Sequence, residues 1–166
     1  MMWFLVLSCF VYLLLLGAAV YFTHPPKRRV IGALAGGVAA GLSLPFIVAI
    51  ADAQGWWRCP FLSLAGAPLL TFLGFSLSYA AVALVFWRIQ RRFGWRGTAY
   101  SLAAVCVIGP PRDYAIASLY PNLMVFGHGI APIIGNAAAY LFTLVLTLSV
   151  MRLIAGPNRT DRLAPS

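Results

Sequence analysis

Glutamate is absent from this chain, lysine occurs once, as Lys27, and the acidic residues are limited to Asp52, Asp113 and Asp161. Charged residues make up 9% of the sequence and hydrophobic residues 62%, whereas an ordinary soluble domain is about 25% charged. Such a chain has too little polar surface to cover its apolar content in water. The three cysteines, Cys9, Cys59 and Cys106, are too few and too scattered for a disulfide framework or a metal-ligand spacing. With His24 and His128 as the two histidines, there is no His-Glu-x-x-His and no pair of axial haem ligands. A phosphate-cradling glycine loop followed by lysine is missing, and Lys27 lies in a polar connection, which excludes an intramembrane Schiff base. No cofactor is implied by any of these patterns.

What the chain has is long apolar runs, at about 2–22, 30–51, 61–87, 98–109 and 131–154. Each is of the length at which a helix crosses hydrocarbon, about 20 residues, except the fourth, which needs a continuation. The prediction is an all-α, polytopic transmembrane helix bundle of five spans, a single domain over 1–155 with a short cytoplasmic tail over 156–166. The lipid bilayer is its first partner. The basic residues stand in clusters beside the apolar runs rather than along a stripe, which argues against a nucleic-acid partner.

Those clusters also orient the chain. Lys27, Arg28 and Arg29 follow the first run, Arg88, Arg91, Arg92 and Arg96 follow the third, and Arg152, Arg159 and Arg162 close the fifth. The alternate connections hold only Arg58 and Arg112. Positive charge is retained in the cytoplasm, so five spans place the amino end outside and the carboxyl end inside, in a plasma (inner) membrane. The first run lacks a basic amino-terminal region and reads as a retained span rather than a cleaved signal. Trp56, Trp57, Trp87 and Trp95 fall near predicted boundaries, where indoles favour the headgroup layer.

The fourth span meets Gly109, Pro110 and Pro111, then Arg112 and Asp113. Consecutive prolines remove backbone donors and disfavour helix before them, so the reading places an interrupted or re-entrant segment near 109–130. Residues 114–128, rich in aromatics and with Pro121 in their middle, read as an interfacial stretch folded over the outer mouth.

Small residues mark the interior. On the second run Gly32, Ala33, Gly36, Gly37, Ala40 and Gly41 occupy one half of a helical wheel, opposite Ile31, Leu34, Val38 and Leu42. The third run carries a stripe of Ser63, Ala67, Thr71, Gly74, Ser78 and Ala81, and the fifth a face of Asn136, Tyr140, Thr143 and Thr147. These faces are expected to meet, as Gly-x-x-x-Gly helices do in membranes. The plain consequence is tight packing. The sharper one is a ligand site in which Asn136, Tyr140, Thr143, Thr71 and Ser78, with Arg112 and His128 above them, orient a lipid or isoprenoid-like molecule.

The preferred expectation is therefore a small inner-membrane protein without a catalytic motif, packing with copies of itself or a membrane complex, or binding a lipid-like ligand. One alternative is an enzyme acting on a lipid or terpenoid at the outer leaflet, with Asp113 and Asp52 as catalytic acid and base and Arg112 on an anionic group. Another is a carrier of a small neutral solute along the Asn136 and Tyr140 face. The two outer aspartates with His128 also form a conceivable cation site, while local pairing of Asp52 with Arg58 and of Asp113 with Arg112 is the simpler reading.

Overall fold

The structure, a computed structural model, describes residues 2–157. The glycosylation-like Asn158-Arg159-Thr160, Asp161 and Arg162, and with them most of the predicted tail, lie outside the described residues. The chain folds as helices α1 (Met2–Thr23), α2 (Lys27–Ala53), α3 (Ala67–Leu119) and α4 (Ala131–Ala155), with a 3-10 turn at Pro60–Ser63 and two short strands, β1 (Trp57–Arg58) and β2 (Val125–Phe126). All four helices are long and apolar enough to cross a membrane, which fits a membrane protein. A helix closes its backbone hydrogen bonds internally, the condition that hydrocarbon imposes. Proline and glycine punctuate the helices: Pro26 precedes α2, Pro68 and Pro132 open α3 and α4, and Gly156 at φ 77° ends α4.

α3 is interrupted at Gly94, whose φ of 66° and ψ of −160° are non-helical. The two arms, 67–93 and 95–119, fold back on each other there: Leu102 and Val105 of the second arm pack with Tyr79 and Phe86 of the first and with Leu144 of α4. A mirror-region backbone of this kind is open to glycine and costly for other residues.

α1 lies along the first arm in the same direction, with Cys9 Sγ on the Leu70 carbonyl at 3.1 Å and Tyr12 against Gly74. α2 sits between the first arm and α4, antiparallel to both. The six small residues named on its wheel are all buried, while Ile31, Leu34, Val38 and Leu42 are exposed. Its two Gly-x-x-x-Gly pairs serve different neighbours. Gly32 and Gly36 lie against Met151, Ala155 and Thr147 of α4, and Gly37 and Gly41 against Phe72, Ser76 and Ala80 of α3. The stripe predicted on the third run is therefore rotated. Ser76 and Ala80 face α2, and Gly74 turns to α1, because two neighbours compete for the two sides of one helix.

The predicted interruption at 109–111 does not occur, and α3 runs through Gly109, Pro110 and Pro111 to Leu119. Each proline forgoes one backbone donor, at a cost of about 3 kcal/mol in an isolated helix. Here Gly109 and Pro110 are buried, with Gly109 against the Tyr140 ring, so packing on α4 holds the helix together where its own bonds are missing. Nor is 114–128 an interfacial helix. Residues 114–119 finish α3, and β2 pairs antiparallel with β1 in the register Trp57 to Phe126 and Arg58 to Val125. The two loops are thus joined to each other, fastened by Gly127 N–H to the Trp56 carbonyl at 2.8 Å and by the Tyr114 ring stacked on Phe126 at 3.9 Å.

At the opposite end Arg29 is fully buried and donates to the Gly156 carbonyl at 3.0 Å, closing the carboxyl end of α4. The Arg29 and Arg91 guanidinium groups lie 5.9 and 5.4 Å from the Trp87 ring centre. Trp87 is accordingly a fully buried core residue rather than a headgroup anchor, whereas Trp95 is exposed.

Candidate functional site

The residues that carry chemistry gather where the second arm of α3 meets the first half of α4. Because α3 extends to Leu119, Arg112 and Asp113 stand about 10 Å inside its end, and Tyr140 lies about 14 Å inside the start of α4. Arg112 grips Asp113 Oδ1 with Nε at 3.1 Å and Nη2 at 2.7 Å. Asp113 Oδ2 accepts from Asn136 Nδ2 at 3.1 Å and from the Tyr140 hydroxyl at 2.8 Å. The Tyr140 hydroxyl in turn accepts from Arg112 Nη2, so a closed ring of donors and acceptors joins two helices. Asn136 and Tyr140 fall on one face of α4 because they are four residues apart, and Gly109 brings the α3 backbone close enough for Asp113 to reach them.

The electrostatics of the group are asymmetric. Four bonds occupy the Asp113 carboxylate, and its side chain is 15% exposed. The Arg112 side chain is 60% exposed and is held by bonds to Nε and Nη2. The carboxylate is enclosed by bonds from within the protein, and the guanidinium is the part left exposed.

The other predicted site residues are distributed differently. Thr143 and Thr71 donate to the carbonyls of Ala139 and Ala67, one turn back in their own helices, at 2.7 Å each. That is the packing role. Ser78 is half-buried on the first arm of α3. Asp52 is paired with Arg58 at 3.8 Å, both side chains being more than half exposed, and among the described residues no hydrogen bond joins it to Asp113. His128 is exposed in the loop after β2. No cluster of three histidine, cysteine or aspartate side chains at metal-binding distances occurs among the described residues, so the two aspartates and His128 are not gathered around a cation.

Cys59, in the loop between β1 and the 3-10 turn, has its thiol pushed up to about 11, first by burial and then by the negative charges of Asp52 and Asp113. The structure also adds residues that the sequence did not single out. Tyr79 of the first arm is buried in a cluster with Leu144 of α4 and Leu102 and Val105 of the second arm, and Tyr12 of α1 lies against Gly74. The available signal was a tyrosine inside the first and third apolar runs, whose hydroxyl needs a partner in hydrocarbon.

Two shallow grooves open on the outside of the bundle. One, of about 480 Å³, is bounded by α4 residues such as Leu141, Phe142 and Val145, and the other, of about 280 Å³, by Phe4, Leu119, Tyr120 and Leu123. Neither contains the Arg112–Asp113–Asn136–Tyr140 group, in which Arg112 is the exposed member and Asn136 is buried. Comparison with known proteins leaves the reading to this geometry: no family model, curated protein or solved structure matches the chain.

Proposed function

We propose that the chain is a multi-pass protein of the inner membrane that crosses the bilayer five times and holds a lipid-like molecule by its polar end near the outer leaflet. The amino end is outside and the carboxyl end cytoplasmic. Two features support the threading. The arms of α3 on either side of Gly94 are each about 25 residues, long enough to cross hydrocarbon. Lys27, Arg28, Arg29, Arg88, Arg91, Arg92, Arg96 and Arg152 then all face the cytoplasm.

The observation that carries the ligand reading is the hydrogen-bonded group of Arg112, Asp113, Asn136 and Tyr140 within the helical part of the chain. Ionisable residues at such depth are costly, and a functional role is their default explanation. A purely structural pair would be expected to turn inward, whereas the Arg112 side chain is mostly exposed. Catalysis is the weaker reading, because Asp52 is engaged with Arg58 and the Asp113 oxygens are already occupied. The glycine faces of α2 are consumed inside the chain, so a copy or partner has to dock elsewhere.

Native mass spectrometry of the purified protein tests the proposal. The wild type should retain a lipid-mass adduct, and Asp113→Asn should lose it while remaining folded. Release of bare protein from the wild type under gentle detergent conditions would overturn the reading.

A further inference from the structure

The exposed face of the second arm of α3 contains one charged side chain in an otherwise apolar row. Ala104, Ile108, Arg112, Ile116 and Leu119 follow one another at intervals of four and three, and every one is exposed. In a helix these positions form a single stripe. Arg112 is therefore turned toward whatever surrounds the bundle, not into its interior. Its orientation is nevertheless fixed. Nε and Nη2 are bound by Asp113 and Tyr140, and the guanidinium carbon lies 5.8 Å from the Tyr140 ring centre. Nη1, with two N–H groups, has no bond among the described residues and points away from the clamp.

A guanidinium offers donors only, so a molecule that meets this edge must bring acceptors. The partner cannot be read by Asp113, because both carboxylate oxygens are filled from within the protein. A donor-bearing neutral headgroup would find nothing to bind. An oxyanion satisfies the open edge, and planar guanidinium groups match phosphate oxygens in geometry as well as charge. Arg112 lies about 10 Å inside the end of α3, within an apolar stripe, so the route to it is sideways through the acyl chains rather than down from water.

Resting on the lipid-binding reading above, we infer that Arg112 is the receptor for the phosphate of a phospholipid of the outer leaflet, one lipid per chain, entering laterally along the Ile108–Arg112–Ile116 stripe. Asp113 and Tyr140 are positioning residues that hold the guanidinium with its free edge outward.

The test uses the full chain in a mild non-ionic detergent, titrated with dioleoylphosphatidylglycerol, with dioleoylglycerol, which has the same tails and no phosphate, and with inorganic phosphate. Adducts are counted by native mass spectrometry. One tightly held phosphatidylglycerol is expected, with dioleoylglycerol weaker by about tenfold or more. Arg112→Gln should remove that one adduct, Arg112→Lys should restore it in part, and Arg92→Gln, at an exposed cytoplasmic arginine, should leave it in place. Melting temperature and circular dichroism establish that the variants are folded, and the lysine variant keeps the test valid if the glutamine variant is not.

Equal retention of the two lipids, with loss only in Asp113→Asn, would overturn the phosphate assignment and leave lipid binding standing. Retention of neither would remove both. Displacement of the lipid by millimolar inorganic phosphate would show an anion site reached from water and overturn the lateral route.

Discussion

The Tyr140 hydroxyl donates to Asp113 Oδ2 at 2.8 Å, while its ring packs on Gly109, four residues earlier on the same face of α3. One side chain thus supplies the polar clamp and fills the space created by the missing side chain at Gly109. These two duties are separable. Tyr140→Phe keeps the ring but strips Asp113 Oδ2 of one of its two donors and Arg112 of one acceptor, and a cost of about 1–3 kcal/mol is expected. Gly109→Ala keeps the hydroxyl but puts a methyl group 2.5 Å from the ring, which a rigid aromatic cannot avoid by bending. Thermal unfolding in detergent should show both variants destabilised, with lipid retention lowered in the first.

Close approach on α2 leads to a sharper contrast. A Cβ at Gly36 would stand 2.5 Å from the Thr147 carbonyl oxygen, and one at Gly37 would collide with that of Ser76. Backbone atoms of a packed helix do not move aside, so Gly36→Ala and Gly37→Ala should each cost about 2 kcal/mol or more. At Gly17 nothing lies within 4 Å, and Gly17→Ala should be neutral or stabilising by up to about 1 kcal/mol through helix propensity alone. A melting series over the three variants checks this, and equal effects would contradict the described packing.

The small-residue face of α2 was legible because its six members repeat at helical spacing with bulky residues opposite, and burial follows that division residue by residue. The stripe on α3 was not, because periodicity shows that a face exists but not which of two neighbours receives it. Gly109-Pro110-Pro111 misled for a related reason. Local propensity treats consecutive prolines as a stop, while the contact that preserves the helix comes from Tyr140, some thirty residues away in sequence. Asp113, Asn136 and Tyr140 were each visible as polar residues in apolar surroundings. Their union was not, because it depends on the helix continuing past Pro111. Asp52 and His128 were grouped with Asp113 by end of the molecule, and shared depth alone does not produce contact.

Gly94 is the single residue at which α3 turns back. The space around it is open, with nothing within 4 Å, so any effect of substitution is conformational rather than steric crowding. At φ 66° and ψ −160° a Cβ-bearing residue is strained by about 1–3 kcal/mol. Gly94→Ala should therefore lower the melting temperature, and it should weaken a cross-link engineered between positions 86 and 102, which belong to one apolar cluster shared by the two arms. An undiminished cross-link with unchanged melting would mean that the reversal does not need this backbone conformation.

Cys59 offers a check on the proposed threading and on the electrostatics of its loop at once. Its thiol is pushed up to about 11, chiefly by burial, with Asp52 and then Asp113 adding to the effect. The thiolate is the reacting form, and it is scarce near neutral pH when the pKa is raised. In a variant keeping Cys59 alone, modification by a charged, membrane-impermeant thiol reagent should be slow near pH 7 and quicken about tenfold per pH unit, without levelling off by about pH 9. Asp52→Asn removes one of the negative neighbours, so the thiolate forms more easily and the rate at fixed pH should rise. Under the proposed threading the loop from Gln54 to Gly66 is outside, and reagent added to intact spheroplasts should reach the residue. Protection from outside combined with modification in inverted vesicles would reverse the orientation. The arginine clusters would then face the wrong compartment, and the lipid phosphate at Arg112 would belong to the cytoplasmic leaflet.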